Sequence, residues 1–179
     1  EHAGAEGLDE PLRQVRPDPP DEPRRQVLLD PVDGGRRDRL HRGGLELEAA
    51  RDAQVRFQIP DSFEVLAQPD LLFRALANLV RNAVRYAGQA GPIDLSASRK
   101  EETVVVTVAD QGPGVSEASL QQIFDPFFRV EPSRSRDTGG VGLGLAIVKT
   151  CVEACQGTVS ARNRTPRGLE VQVMLKAAT

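Results

Sequence analysis

Four segments of the chain combine residue types suited to holding a charged ligand. Between Pro69 and Ala87, Arg74, Asn78, Asn82 and Arg85 recur at three- and four-residue steps, which on a helix aligns them along one face. Asparagine is a mediocre helix former, so two of them at i and i+4 followed by Arg85 suit a metal ion and an anion on that face; an ordinary solvated face is the alternative. Asp110-Gln111-Gly112-Pro113-Gly114 sets an acid at the end of an apolar run, before a turn that lets a ligand approach the backbone closely. An ionised carboxylate only accepts, which matches an exocyclic amino group such as that of adenine; a plain loop turn is the alternative. Ile123-Phe124-Asp125-Pro126-Phe127-Phe128-Arg129 follows, and then Gly140-Val141-Gly142-Leu143-Gly144-Leu145. Spaced glycines entering a helix offer free amides and the positive helix end to phosphate. No Gly-Lys-Ser/Thr follows, and Leu145 stands where a dinucleotide fingerprint needs its third spaced glycine, so neither of those phosphate loops is present.

The elements that must position these residues follow from period and punctuation. Pro69 opens a helix to about Ala87, with an apolar stripe at Leu72, Ala75, Leu76, Leu79, Ala83 and Tyr86. Ile93 to Ser98 and Thr103 to Ala109 read as a hairpin around Lys100-Glu101-Glu102, and Thr158 to Ala161 with Leu169 to Leu175 as a second. Ser116 caps a helix to Phe124, and Leu143 to Cys155 is apolar at helical spacing until Gly157 stops it. Leu45 to Asp52 reads as a short helix; Val55 to Ile59 and Glu64 to Ala67 read as short strands around a Pro60-Asp61 turn.

Length and composition bound the rest. The chain has 179 residues, 39% apolar and 27% charged, enough for one well-cored domain and too few for two. A net charge of −3 advertises neither nucleic acid nor an anionic membrane, and the single Tyr, six Phe and absent Trp argue against a base-stacking surface. Cys151 and Cys155 cannot make a disulfide framework and read as buried reduced thiols, which with the lack of a membrane-length apolar run points to the cytoplasm. Residues 1–44 hold six of the 13 prolines, eight Arg and no Lys, and are expected to be irregular or disordered, with only Val27-Leu28-Leu29 apolar enough to dock. The globular domain is expected over 45–179.

Taken in order, Asn78 to Tyr86, Asp110 to Gly114, Phe124 to Arg129 and Gly140 to Leu145 resemble the N, first glycine, F and second glycine boxes of the ATP-binding catalytic domain of bacterial sensor histidine kinases, in the GHKL superfamily. The resemblance covers about Leu45 to Lys176. It implies the α+β Bergerat fold: a two-layer α/β sandwich in which a mixed sheet is covered on one face by three helices, near 70–87, 116–124 and 143–155. It implies ATP and Mg²⁺ as cofactors. Asn82 would ligate Mg²⁺ with Asn78 near it, Arg85 and Tyr86 would sit by phosphates and sugar, and Asp110 would accept from adenine over a floor shaped by Gly112 and Gly114. Arg129 and the backbone of Gly140, Gly142, Leu143 and Gly144 would face the phosphates, with Phe128 to Val141 a mobile ATP lid. Asn82, Arg85 and Arg129 would be the catalytic set. Arg85 replaces a common Lys with a planar fork, and Val141 replaces a common Thr or Ser.

The activity implied is transfer of the γ-phosphate of Mg-ATP to a histidine, with a response regulator downstream. Family members carry that histidine on a helical hairpin in a His-Glu or His-Asp setting. His2 precedes Ala3 and His41 precedes Arg42, so the acceptor and dimerisation hairpin is expected to come from a partner or a fuller-length protein. A cytoplasmic location is implied for this part, compatible with an inner-membrane anchor on a parent sensor. Two alternatives stand beside this reading: a nucleotide-binding module without turnover, and an anti-sigma-type serine/threonine kinase using the same pocket.

Overall fold

The computed structural model describes residues 25–29, 55–59, 62–87, 89–130 and 141–178. The strands are β1 (Arg25–Leu29), β2 (Val55–Gln58), β3 (Phe63–Ala67), β4 (Ile93–Lys100), β5 (Thr103–Ala109), β6 (Thr158–Asn163) and β7 (Leu169–Lys176). The helices are α1 (Pro69–Ala87), α2 (Glu117–Leu120) and α3 (Gly144–Ala154). Five strands form one sheet in the order β2-β4-β5-β7-β6, with β2 parallel to β4 and every other pairing antiparallel, so the sheet is mixed. Both expected hairpins, β4–β5 and β6–β7, are present.

Alternation along these strands makes one face apolar and the other polar. Leu95, Val108, Val171 and Ala161 lie in register across four strands, and Ala97, Val106, Val173 and Val159 form the next row. These rows meet α1 and α3, which pack on each other over the sheet around Leu79, Val80, Val148 and Val152. The opposite face carries rows such as Ser96, Thr107, Gln172 and Ser160, and an ion pair at 2.8 Å between Arg162 and Glu170.

Helix α1 begins at Pro69, where the missing N–H costs nothing, with Asp70 in the first turn and Arg85 in the last, each favourable to the helix dipole. Leu72, Ala75, Leu76, Leu79 and Ala83 are buried as the apolar stripe predicts. Tyr86 departs from it: its side chain is 58% exposed, and Val80 and Ala87 are buried instead. Steps of seven residues drift by roughly 20° per heptad around an α-helix, so the stripe from Leu72 through Leu79 leaves the core before Tyr86.

The segment read as largely irregular contributes β1, which pairs antiparallel with β3 through Val27↔Val65, and Val27 and Leu29, in the apolar patch expected to dock, pack on the core. The helix expected to reach Phe124 is a single turn ending at Leu120, because Gln122 and Ile123 both donate to the Ser119 carbonyl and tighten the chain into turns that bury Ile123 and Phe124. The two short strands expected on either side of Pro60-Asp61 are both present, in different sheets: β2 joins β4 and β3 joins β1. A bridge from Val65 to Ala177 and a bond from Ala178 N to the Glu64 carbonyl at 2.8 Å tie the small sheet to the end of β7. The expected helix at 45–52, the domain boundary at 44/45 and both histidines lie outside the described residues.

Candidate functional site

The motifs converge on the exposed face of α1, each brought there by a different element. The loop after β5 arrives first. Asp110 is the buried charged residue of the described core, 7% exposed. Its Oδ1 accepts from Gly112 N at 2.8 Å and from Leu169 N at 3.1 Å, so one oxygen closes the turn and ties it to β7. Among the described residues Oδ2 accepts no hydrogen bond. A Cβ at Gly112 would stand 2.7 Å from the Ala87 Cβ and 3.2 Å from the Tyr86 carbonyl oxygen, so only glycine lets this loop lie against the end of α1. Gly114 takes a φ of +73°, the left-handed region that the turn requires.

At the other end of the same face, the N-terminus of α3 meets α1 near Asn78, whose Oδ1 lies 4.0 Å from the Cβ position of Gly144. Leu143 caps α3 without a side-chain bond, which leaves the first-turn amides for a ligand. Eight residues of helix separate Asn78 from Tyr86, about 12 Å at the usual rise. The F segment lies alongside. Phe127, at φ +66°, donates its amide to the Gly142 carbonyl at 2.9 Å, and a Cβ on Gly142 would stand 2.8 Å from the Phe127 carbonyl carbon. Phe128 packs on the core, while Phe127 and Val141 are 68% and 67% exposed.

Between these ends the polar stripe divides in two. Asn78 is tied along its own helix, donating to the Arg74 carbonyl at 2.8 Å and accepting from Arg81 Nη1 at 3.2 Å. Asn82 is half-buried and its side chain makes no hydrogen bond among the described residues. Arg85 is exposed, its guanidinium 5.5 Å from the centre of the Tyr86 ring. Arg129 is half-buried and engaged within the chain. Gly140 and most of the expected lid lie outside the described residues.

No group of three or more His, Cys, Asp or Glu able to hold a metal occurs among the described residues. Mg²⁺ prefers hard oxygen donors and is usually held by few protein ligands plus water and substrate phosphates. The Asn82 amide oxygen is such a donor. Cys151 and Cys155 are both buried and free, and burial, more than any charge, pushes the Cys151 thiol up; Arg74 opposes that shift and Cys155 adds to it. They face the core and take no part in the site.

Reading the sequence by motif misses the residues that hold the Asp110 loop from the far side. Asn163, Arg164, Arg167 and Leu169, on the β6–β7 hairpin, all bond to it. The signal present was Asn163 and Gly168 bracketing a short polar turn, which marks a hairpin but not what it touches.

Residues 67–179, more than half the chain, match the family model described as histidine kinase-, DNA gyrase B- and HSP90-like ATPase. The signal transduction histidine-protein kinase BaeS of Escherichia coli is 40% identical over 127 residues, covering 71% of this chain and 27% of BaeS. Among solved structures, the mycobacterial sensor histidine kinase MprB superposes with a TM-score of 0.66 at 25% identity, over 77% of this chain and 93% of that one. Full-length ShkA in complex with AMPPNP gives 0.65 at 30% identity, over 86% of this chain and 31% of ShkA. The chain thus spans about a quarter of the length of BaeS. Among the described residues no helix is long and apolar enough to cross a membrane.

Proposed function

We propose, from the premise that this chain belongs to the histidine kinase-, DNA gyrase B- and HSP90-like ATPase family, that it binds Mg-ATP and passes the γ-phosphate to a histidine on a partner. The observation that carries this reading is the convergence of the Asp110 loop and the α3 N-terminus on one face of α1, with Asn82 and Arg85 on the helix between them. Asp110 accepts from the adenine amino group through Oδ2, the oxygen its own fold does not use. Gly142, Leu143 and Gly144 offer amides to the phosphates, Arg85 and Arg129 supply positive charge, and Asn82 holds Mg²⁺, which neutralises phosphate charge when bound.

In that arrangement a nitrogen of the acceptor histidine attacks the γ-phosphorus in line, the bond to the bridging oxygen breaks, and ADP leaves. The acceptor's proton passes to a base on the partner. This chain's contribution is positioning and charge neutralisation rather than covalent chemistry. The partner is a helical-hairpin dimerisation and phosphoacceptor domain, with a response regulator receiving the phosphate next. The domain works in the cytoplasm, and any membrane anchor belongs to a parent sensor.

The test incubates the protein with an isolated helical-hairpin phosphoacceptor domain and ATP labelled in the γ-phosphate. Acid-labile label on the hairpin is the expected result. Acid-stable label would indicate a hydroxyl acceptor, and tight ATP binding without any transfer would leave a nucleotide-binding module.

A further inference from the structure

The β6–β7 hairpin contributes nothing to the four motifs, yet its polar groups end on the loop that carries Asp110. Arg164 Nη1 donates to the Asp110 carbonyl at 2.9 Å and Arg167 Nε to the Gln111 carbonyl at 2.7 Å. The Gly168 backbone lies against the Asp110 carbonyl so closely that no side chain fits there. Asn163 makes the most specific contact. Its Oδ1 accepts from Val115 N at 3.0 Å and its Nδ2 donates to the Val115 carbonyl at 2.7 Å, so one side-chain amide satisfies both backbone groups of one residue. The same Nδ2 donates to Glu117 Oε1 at 3.1 Å, at the start of α2. A Cβ on Gly114 would stand 2.6 Å from Asn163 Oδ1, so the amide lies flush on the turn.

Only a carboxamide has a donor and an acceptor side by side at this spacing. Aspartate lacks the donor and would set a second carboxylate against Glu117; serine cannot span both backbone groups. Resting on the ATP-binding reading above, we infer that Asn163 is a positioning residue for nucleotide binding: its amide clamps the far end of the Gly112–Val115 turn, and so steadies the loop whose near end carries Asp110. The near end of that turn is fixed by Asp110 Oδ1 itself, through Gly112 N. With Val115 released, the turn is held only at its near end, by that bond and by those that Arg164, Arg167 and Leu169 make to Asp110 and Gln111, and the population with Gly112 to Val115 in the binding arrangement falls. Apparent affinity falls by the same fraction, roughly tenfold for the loss of two such bonds.

The experiment titrates ATP, ADP and adenosine against the parent protein and Asn163→Ala, with thermal unfolding of each. A brace at the base end weakens all three ligands by the same factor, roughly tenfold, and leaves the ratio of ATP affinities with and without Mg²⁺ unchanged. Equal affinities in parent and folded Asn163→Ala overturn the inference, as does a loss confined to ATP. Where Asn163→Ala does not fold, Asn163→Ser carries the same comparison. The pair Asn163→Asp with Glu117→Gln, in which the new amide donates to the new carboxylate, is expected to bind more tightly than Asn163→Asp alone, and a double variant no tighter than the single refutes the role of the amide. A parent protein that binds none of the three ligands refutes the ATP-binding reading itself, a result distinct from parity between parent and variant.

Discussion

Replacing Asp110 by asparagine separates adenine recognition from the architecture of the loop. The parent Oδ1 is committed to the amides of Gly112 and Leu169 at 2.8 and 3.1 Å, inside a residue that is 7% exposed. An asparagine there must keep its oxygen on those two donors, because turning it over would set an NH₂ against both and leave three buried donors facing one another. The fold therefore dictates that the new NH₂ takes the place of Oδ2, where on the proposed reading it would meet the adenine amino group donor to donor. The charged hydrogen bond lost is worth roughly 1.5 to 3 kcal/mol, a fall in ATP affinity of roughly 10- to 150-fold. Guanine presents a carbonyl at that position, which the new NH₂ can meet, so the preference for ATP over GTP narrows at the same time. Alanine is the less informative change, since it also strips Gly112 and Leu169 of their acceptor. Calorimetric titration of both nucleotides against parent and Asp110→Asn, with matched unfolding curves, measures both effects. Parent-like ATP affinity with an unchanged ATP to GTP ratio would refute the reasoning.

Four other outcomes are expected. Asn82→Ala should abolish the magnesium dependence of ATP binding while the circular dichroism spectrum is kept; retention of the parent's Mg²⁺ response would remove Asn82 from the metal site. Leu79→Ala, at a side chain 2% exposed between helix and sheet, should cost about 2 to 5 kcal/mol in chemical denaturation. Leu29→Asp should lower the unfolding midpoint, since β1 packs Leu29 on the core; an unchanged midpoint would show that β1 does not contribute to stability. Because burial raises the Cys151 thiol above its unfolded value, the unfolded chain loses that proton first, so its contribution to stability is complete below the unfolded value and is lost as pH rises through the folded one; Cys151→Ala should flatten the alkaline slope of stability against pH.

Local signals made much of the fold readable from the residues. Pro69 and the stripe Leu72-Leu76-Leu79-Ala83 predict α1, and the β-branched run Thr103–Ala109 predicts β5, since period and punctuation act within one element. For β1 the apolar patch Val27-Leu28-Leu29 is a local signal of docking, but the strand and its partner are not readable, because Val27 pairs 38 positions away, at Val65, and nothing around Val27 records that. The end of α2 was misread for a related reason. Ser116 does cap a helix, but Ile123 and Phe124 belong to the core and pull the chain into turns before a second helical turn forms. In the candidate site, the residues on α1 and in the Asp110 loop are each a weak signal by type and spacing, and it is their order along the chain that singles them out. The bonds from Asn163, Arg164 and Arg167 carry no such signal, because a polar residue in a hairpin looks the same whether it meets water or a backbone 48 to 56 positions away.

The bond from Phe127 to Gly142 joins, at 2.9 Å, the two ends of the segment between the F and glycine motifs. Once its ends are fastened, the closure entropy of a loop grows only with the logarithm of its length, and each doubling costs about 0.6 kcal/mol. Insertions and deletions between these anchors are therefore nearly neutral for folding, whereas any side chain at Gly142 collides with the anchor itself. The length and composition of this stretch can thus change at little cost to the stability of the domain that carries it.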